Sequence, residues 1–344
     1  MPPILEGRRN QEDITHLWIA SDCLVSIICP TYNHENYIRT ALEGFLAQVT
    51  SFRFENIVHD DASTDGTVSI VQDYAAQYPD IIKPIYQKEN QYSKGGFKPA
   101  IYAAQFCSGH YMAICEGDDY WIDENKLQRQ VESMQQNSEV DFSFHAAYML
   151  TEQPYSLEVS WLLGESRIIG LDVLLNSRLG SFAPTSSYVF RKRVFDNLPT
   201  WFVSAAPVAD FFLERYGALR GGALYINEPM SVYRNLALGS WTVAVRDDDV
   251  AYRRYIKGMC RSLELMESDF HRYSISFDKF CARFYLKHAV EALIRGDTQR
   301  FDDLVLKSVG EWKYVSKKQF LCYQLRALPT VLRRIISARR EAKS

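Results

Sequence analysis

The chain has 344 residues, 47% hydrophobic and 24% charged, with a formal net charge of −3. That length buries a real core in one large or two modest domains, and so small a net charge gives no electrostatic reason to expect nucleic-acid binding. The seven cysteines (Cys23, Cys29, Cys107, Cys115, Cys260, Cys281 and Cys322) form no C-x-x-C pair; an odd, scattered set argues against a zinc site or disulfide framework and fits a reducing compartment.

Residues 1–22 are polar and aperiodic and read as an extension. The start, Met1-Pro2-Pro3-Ile4-Leu5-Glu6, lacks the basic-then-apolar pattern of a signal peptide. No N-x-S/T sequon and no run of 18 apolar residues occurs. The expectation is a cytoplasmic location, with any membrane contact at the inner face of the cytoplasmic membrane.

Leu24-Val25-Ser26-Ile27-Ile28-Cys29 is a short apolar run, the signature of a buried strand. Tyr37, Ile38, Ala41, Leu42, Phe45 and Leu46 then recur at helical spacing. Residues 54–59 predict a second strand. Asp60-Asp61-Ala62-Ser63-Thr64-Asp65-Gly66-Thr67 is rich in turn and cap residues and opens a helix to about Gln77. Residues 81–86 predict a third strand, which Pro84 assigns to a sheet edge. A helix over 97–107 and a strand over 110–116 follow. Then comes Gly117-Asp118-Asp119-Tyr120, with Asp123 as the expected N-cap of a helix carrying Leu127, Val131 and Met134. Residues 140–144 complete the first half.

Strands alternating with helices imply a mostly parallel sheet covered on both faces, with ligands at the carboxyl ends of its strands. Thr31-Tyr32-Asn33, Asp60-Asp61 and Asp118-Asp119 all fall at such ends. Adjacent carboxylates near apolar surroundings need a positive partner, and a hard divalent cation shared with a phosphate supplies one. In the second half, 186–190 predicts a strand, Asp210 opens a short helix, and 224–226 returns to the sheet before Tyr233-Arg234. From about residue 247 the pattern is helical and amphipathic. Most of the aromatic residues are expected in packing rather than in stacking on bases.

Val25-Ser26-Ile27-Ile28-Cys29-Pro30-Thr31-Tyr32-Asn33 resembles the opening strand and loop of family 2 glycosyltransferases. Asp60 to Thr67 resembles their second motif, where Gly often replaces Ala62. Glu116-Gly117-Asp118-Asp119-Tyr120-Trp121 resembles their D-x-D-type metal motif in a Gly-Asp-Asp-Tyr-Trp form. The resemblance spans about residues 23–235. It implies a GT-A fold: an α/β, Rossmann-like, mostly parallel sheet flanked by helices, with a C-terminal helical extension. The domains would be 1–22 (extension), 23–245 (nucleotide-binding half 23–150, acceptor half 151–245) and 246–344 (helical).

The resemblance implies inverting transfer of a sugar from a nucleoside diphosphate, UDP by preference, to an acceptor hydroxyl on a carbohydrate or lipid-linked substrate. Pro30, Thr31 and Tyr32 would line the nucleoside pocket and Asp61 would accept from the base. Asp118 would lie near the ribose, and Asp119 would hold Mn²⁺ or Mg²⁺ at the diphosphate. Asp210 would be the general base, with Glu214 as its substitute. Trp121, Arg234 and Lys98 are candidate donor or acceptor contacts. Where many relatives carry a His two residues past the Tyr-Arg element, this chain has Leu236.

Each residue also has a plainer reading. Asp60 is expected to bind its own loop backbone, Trp121 to pack, and Lys88, Lys94 and Lys98 to be solvated. His34, His59, His110 and His145 have no ligand spacing and are given no role. Residues 325–344 hold six basic residues and one acidic. Leu328, Val331, Leu332, Ile335 and Ile336 offer an apolar face that would suit an anionic membrane surface or packing on the domain. The rival functions are a nucleotidyltransferase, which would need a Gly-rich basic loop after the first strand, and an inactive sugar-nucleotide binder on the same fold.

Overall fold

The computed structural model describes residues 4–5, 9–152, 155–160, 164–177, 179–235 and 248–341. Ten strands form one sheet: β1 (Cys23–Thr31), β2 (Arg53–Asp60), β3 (Ile82–Tyr86), β4 (Tyr111–Ile114), β5 (Tyr120–Trp121), β6 (Phe142–Glu152), β7 (Tyr155–Ser160), β8 (Arg167–Ile169), β9 (Val189–Arg191) and β10 (Ala223–Asn235). The spatial order is β3-β2-β1-β4-β9-β6-β10-β5, with β7 on β6 and β8 on β10. The first four are parallel, and β3 holds the edge that Pro84 predicts, since proline cannot donate to a ladder. Beyond β4 the sheet is mixed. β9 runs against both β4 and β6, whereas β6 and β10 are parallel.

Helices in chain order are α1 (Gln11–Thr15), α2 (Ile38–Leu46), α3 (Thr67–Gln77), α4 (Pro99–Ala104), α5 (Lys126–Gln136), α6 (Leu171–Ser177), α7 (Arg193–Asp196), α8 (Trp201–Ala205), α9 (Asp210–Gly217), α10 (Asp249–Met266), α11 (Ser274–Ile294), α12 (Thr298–Glu311), α13 (Lys317–Gln324) and α14 (Pro329–Glu341). Of the apolar stripe predicted for α2, Ile38, Ala41, Leu42, Phe45 and Leu46 are buried and Tyr37, its N-cap, is half-buried; Leu127, Val131 and Met134 of α5 are buried too. The N-cap of α5 is Asn125, not Asp123. Asp123 instead accepts from the Asn125 N–H at 2.7 Å, ordering the turn before the helix.

The chain divides into two compact units. One comprises residues 1–171 with 181–252, the other 172–180 with 253–344. The first contains the sheet and a core running from Val25, Ile27 and Cys29 through Phe45, Phe54 and Trp121. Residues 11–18 are not a free extension: Ile14 is buried in that core and Trp18 meets Phe54 edge-on at 5.5 Å. The second unit is helical. There Leu332 and Ile336 of α14 are buried, leaving Leu328 and Val331 about half exposed. Two of the five residues of the tail's apolar face are therefore spent on packing. Residues 342–344 lie outside the described residues.

Candidate functional site

The end of β1 is the hub. The Thr31 carbonyl accepts the Asp61 N–H at 3.0 Å, and the Pro30 carbonyl accepts the Gly117 N–H at 2.9 Å. Backbone bonds thus knit the loops after β2 and β4 to the β1 end, and the three polar clusters meet at one place. A Cβ at Gly117 would come within 2.8 Å of Thr31 Oγ1 and 2.9 Å of His34 Nδ1, so glycine is required for the loops to close together.

The loop after β2 is preorganised from within. Asp60 accepts from the Ser63 N–H (2.9 Å) and hydroxyl (2.5 Å), the structural role expected of it. Asn33 (φ 55°) and Ala62 (φ 64°) are both left-handed, and Asn33 Oδ1 accepts the Thr64 N–H at 2.8 Å. The left-handed backbone explains why glycine suits position 62. Asp61 is 2% exposed. Its two oxygens accept the N–H groups of Gln91 and Tyr92, each at 2.9 Å, so it fixes the next loop. Each oxygen has a second lone pair for a ligand. Tyr32, 42% exposed, stands at the rim.

The acidic loop is shaped by sheet pairing. Tyr120 and Trp121 form β5, antiparallel to β10, with Trp121 opposite Ser231 and Tyr120 opposite Val232. Continuing that register brings Tyr233-Arg234 against Asp118-Asp119. The Arg234 N–H donates to Asp119 Oδ1 at 2.8 Å, and its guanidinium donates to the Asp118 carbonyl. The guanidinium also lies over the rings of Tyr120 (4.6 Å) and Tyr37 (4.9 Å). Arg234 is thus a brace of the acidic loop before it is anything to a diphosphate.

Asp119 is 1% exposed. Its Oδ2 and Asp118 Oδ1 are buried with no hydrogen-bond partner, a costly arrangement unless a ligand completes it. Burial, then Asp118 and Glu116, raise Asp119 well above the usual carboxylate range. Glu116, similarly pressed by burial, Asp118 and Asp210, is pushed up to about 8. Such repulsion is what a bound cation relieves, and oxygen donors suit Mg²⁺ or Mn²⁺. Among the described residues no three His, Cys, Asp or Glu side chains form a complete metal cage. A cation here would therefore draw on Asp119, Asp118 and ligand phosphates. The loop position of Leu236 lies outside the described residues.

Asp210 begins α9, as predicted, and accepts the Ser181 hydroxyl at 2.6 Å on Oδ2. Its charge reaches Glu116, Tyr92 and Tyr233. Tyr233 lies within electrostatic reach of Asp119, Glu116, Asp210 and Asp118, and burial plus these four acids raise its hydroxyl. The structure thus joins the nucleotide-side acids to Asp210.

Three expectations are corrected. Trp121 is fully buried: its Nε1 donates to the Ser186 carbonyl at 2.8 Å, and its ring packs on Phe45 at 4.7 Å and under the Lys126 ammonium at 3.8 Å. It contacts no surface where a sugar could lie. Lys98 is 6% exposed and donates to the Val203 carbonyl at 2.9 Å; burial pushes it down to about 8. It is neither a solvated lysine nor a phosphate ligand, but a tie to α8. Glu214 is fully buried and saturated by the Phe182 and Ala183 N–H groups (2.9 Å), the Tyr188 hydroxyl (2.5 Å) and Arg215 (3.5 Å), so it cannot stand in for Asp210. The sequence reading missed His34, whose Nε2 is 4.0 Å from Asp118 Oδ2, and gave Glu116, Tyr92, Ser181 and Tyr233 no chemistry of their own. Of these, Glu116 and Tyr233 lay inside the quoted motifs, whereas Ser181 carries no local signal.

The family model for glycosyl transferase family 2 matches residues 26–195. An uncharacterized protein of Mycobacterium tuberculosis, Rv1520, is 37% identical over 243 residues, 70% of this chain and 67% of that protein. WfgD of Escherichia coli, described as a UDP-Glc:alpha-D-GlcNAc-diphosphoundecaprenol beta-1,3-glucosyltransferase, is 34% identical over 117 residues, 34% of this chain and 43% of its own. Among solved structures, S. aureus TarS 1–349 in complex with UDP-GlcNAc has a TM-score of 0.52 at 15% identity, covering 85% of this chain and 90% of that one.

Proposed function

Because the chain belongs to glycosyl transferase family 2 and has the GT-A fold, we propose that it moves a sugar, with inversion, from a nucleoside diphosphate to an acceptor hydroxyl. UDP is the favoured donor nucleotide, in keeping with the donor named for WfgD and the ligand of TarS. The acceptor is a carbohydrate, lipid-linked or polymeric, of a surface polysaccharide, and the work is done on the cytoplasmic side.

The observation that carries this reading is the pair of unpartnered buried oxygens, Asp119 Oδ2 and Asp118 Oδ1, at the joined strand ends. Asp119, with Asp118 beside it, would hold Mn²⁺ or Mg²⁺, which when bound offsets the negative charge growing on the diphosphate. Pro30, Thr31 and Tyr32 form the nucleoside wall, and Asp61 accepts from the base with the lone pairs its loop bonds leave. Arg234 keeps the acidic loop in register. Asp210, held by Ser181, takes the acceptor proton as the new C–O bond forms and the C–O bond to the diphosphate breaks. Attack opposite the leaving group inverts the anomeric carbon and needs no covalent enzyme intermediate.

A nucleotidyltransferase has no support: the loop after β1, Pro30-Thr31-Tyr32-Asn33-His34-Glu35-Asn36, is neither Gly-rich nor basic. A thermal-shift screen of nucleotide sugars with and without Mn²⁺, followed by an assay of UDP release, tests the proposal. The expected result is a metal-dependent shift with a UDP-sugar and turnover with acceptor. A shift without turnover against any polyprenyl-linked sugar would favour an inactive binder, and no shift with any nucleotide would reject the reading.

A further inference from the structure

The turn between α12 and α13 holds Tyr314 in the left-handed region, at φ 62°. A tyrosine there is strained, and such strain persists only where the surroundings over-determine it. They do so here. The side chain of Gln319, 1% exposed, accepts the Val315 N–H at 3.0 Å and donates to the Trp312 carbonyl at 2.8 Å and the Ser308 carbonyl at 2.9 Å. Ser316 Oγ accepts the Gln319 N–H at 3.1 Å, and the Lys279 ammonium sits 4.6 Å from the Trp312 ring centre. One buried amide thus pins both ends of the turn.

What the rigid turn presents is apolar and unburied. Tyr314 is 75% exposed, and its ring lies 6.1 Å from that of Phe320, itself 48% exposed. Glycine would make the same turn without strain, so packing does not explain the tyrosine. Lys313, Lys317 and Lys318, neighbours of the two aromatic residues in sequence, are exposed as well. Residues 312–340 contain eight Lys or Arg and no Asp or Glu, in a chain of net charge −3.

We propose that this turn and the start of α13 are a docking face for an anionic lipid bilayer. Tyrosine rings partition to the headgroup level of a membrane. Each lysine near an anionic leaflet is worth roughly fivefold in partitioning. Charge complementarity selects this occupant: a purely apolar partner would gain nothing from the neighbouring lysines. The face differs from the tail helix, whose Leu332 and Ile336 are already buried. The inference stands on this surface alone and does not rest on the transfer reaction, though it would hold the chain where a lipid-linked acceptor resides.

The test is sedimentation of the full chain with vesicles of phosphatidylcholine alone and of phosphatidylcholine mixed with phosphatidylglycerol. Binding is expected only to the mixed vesicles and is released by high salt. Tyr314→Gly should lower partitioning about tenfold or more while its melting temperature holds or rises, because the strain is relieved. Phe320→Ser should act in the same direction. Lys313→Glu, Lys317→Glu and Lys318→Glu together should remove the preference for phosphatidylglycerol. The proposal is overturned if the wild-type chain ignores the mixed vesicles or binds both kinds equally. It is also overturned if Tyr314→Gly binds as wild type, or if light scattering shows instead a Tyr314-dependent dimer that no vesicle competes away.

Discussion

Asp119 and Glu214 are both buried carboxylates in the same compact unit, and both are pushed up in pKa by burial. They differ in how their oxygens are used. Glu214 is bonded by two backbone N–H groups and a tyrosine hydroxyl and paired with Arg215. It fixes the 181–183 segment, and through Ser181 it helps to seat Asp210. Asp119 has one oxygen held by the Arg234 N–H and the other without a partner. A saturated buried acid is part of the fold; a half-saturated one, next to two more acids, is built for something that arrives later.

The two carboxylates differ most in what their loss would do, and Asp119 matters more. Asp119→Ala should lower turnover about 10³-fold or more with little loss of folded protein, read by steady-state rates and a melt; retained turnover would remove the metal assignment. Asp210→Asn should cost about 10²–10⁴-fold in kcat while UDP affinity, read by calorimetry, stays near wild type. If donor binding falls equally, Asp210 acts on the donor and is not simply the base. Arg234→Ala should weaken metal-dependent UDP binding about tenfold to a hundredfold, the scale of a partner that orients a ligating group.

Glu214 supplies the most selective effect, confined to the pH dependence of stability. Burial, outweighing Arg215 and the Tyr188 hydroxyl, pushes its folded pKa up to about 8 from an ordinary 4.5. Between those values the folded chain keeps a proton that the unfolded chain releases. Its contribution to stability is therefore full below about pH 4.5 and lost as pH rises towards 8, by at most about 1.4 kcal/mol per pH unit. Glu214→Gln should flatten that part of the stability-against-pH profile. An unchanged slope in chemical denaturation would show that Glu214 is ionised in the fold.

Much of this was legible from the residues. Period and run length marked β1, β2, β3 and β4, and Pro84 marked the edge. Turn residues placed the loops, and strand ends located the acids. What the sequence hid was pairing. Nothing local says that Tyr120-Trp121 forms a two-residue strand on β10, yet that register seats Arg234 on the acids and buries Trp121. Lys98 and Glu214 were opaque for the same reason: their partners, the Val203 carbonyl and the 182–183 N–H groups, are more than 30 residues away. Ile14 and Trp18 looked like part of a polar extension because the few apolar residues of that segment are too scattered among polar ones to set a period over several turns.

On the proposed function, the acids after β4 bind a cation together with a diphosphate. Calorimetric titration of UDP into the wild-type chain, in Mn²⁺ and then in excess chelator, tests it directly. UDP affinity is expected to fall at least about tenfold without the metal, with Asp119→Ala showing the weak value under both conditions. Equal UDP affinity with and without metal in the wild-type chain would mean that no cation joins UDP to Asp119.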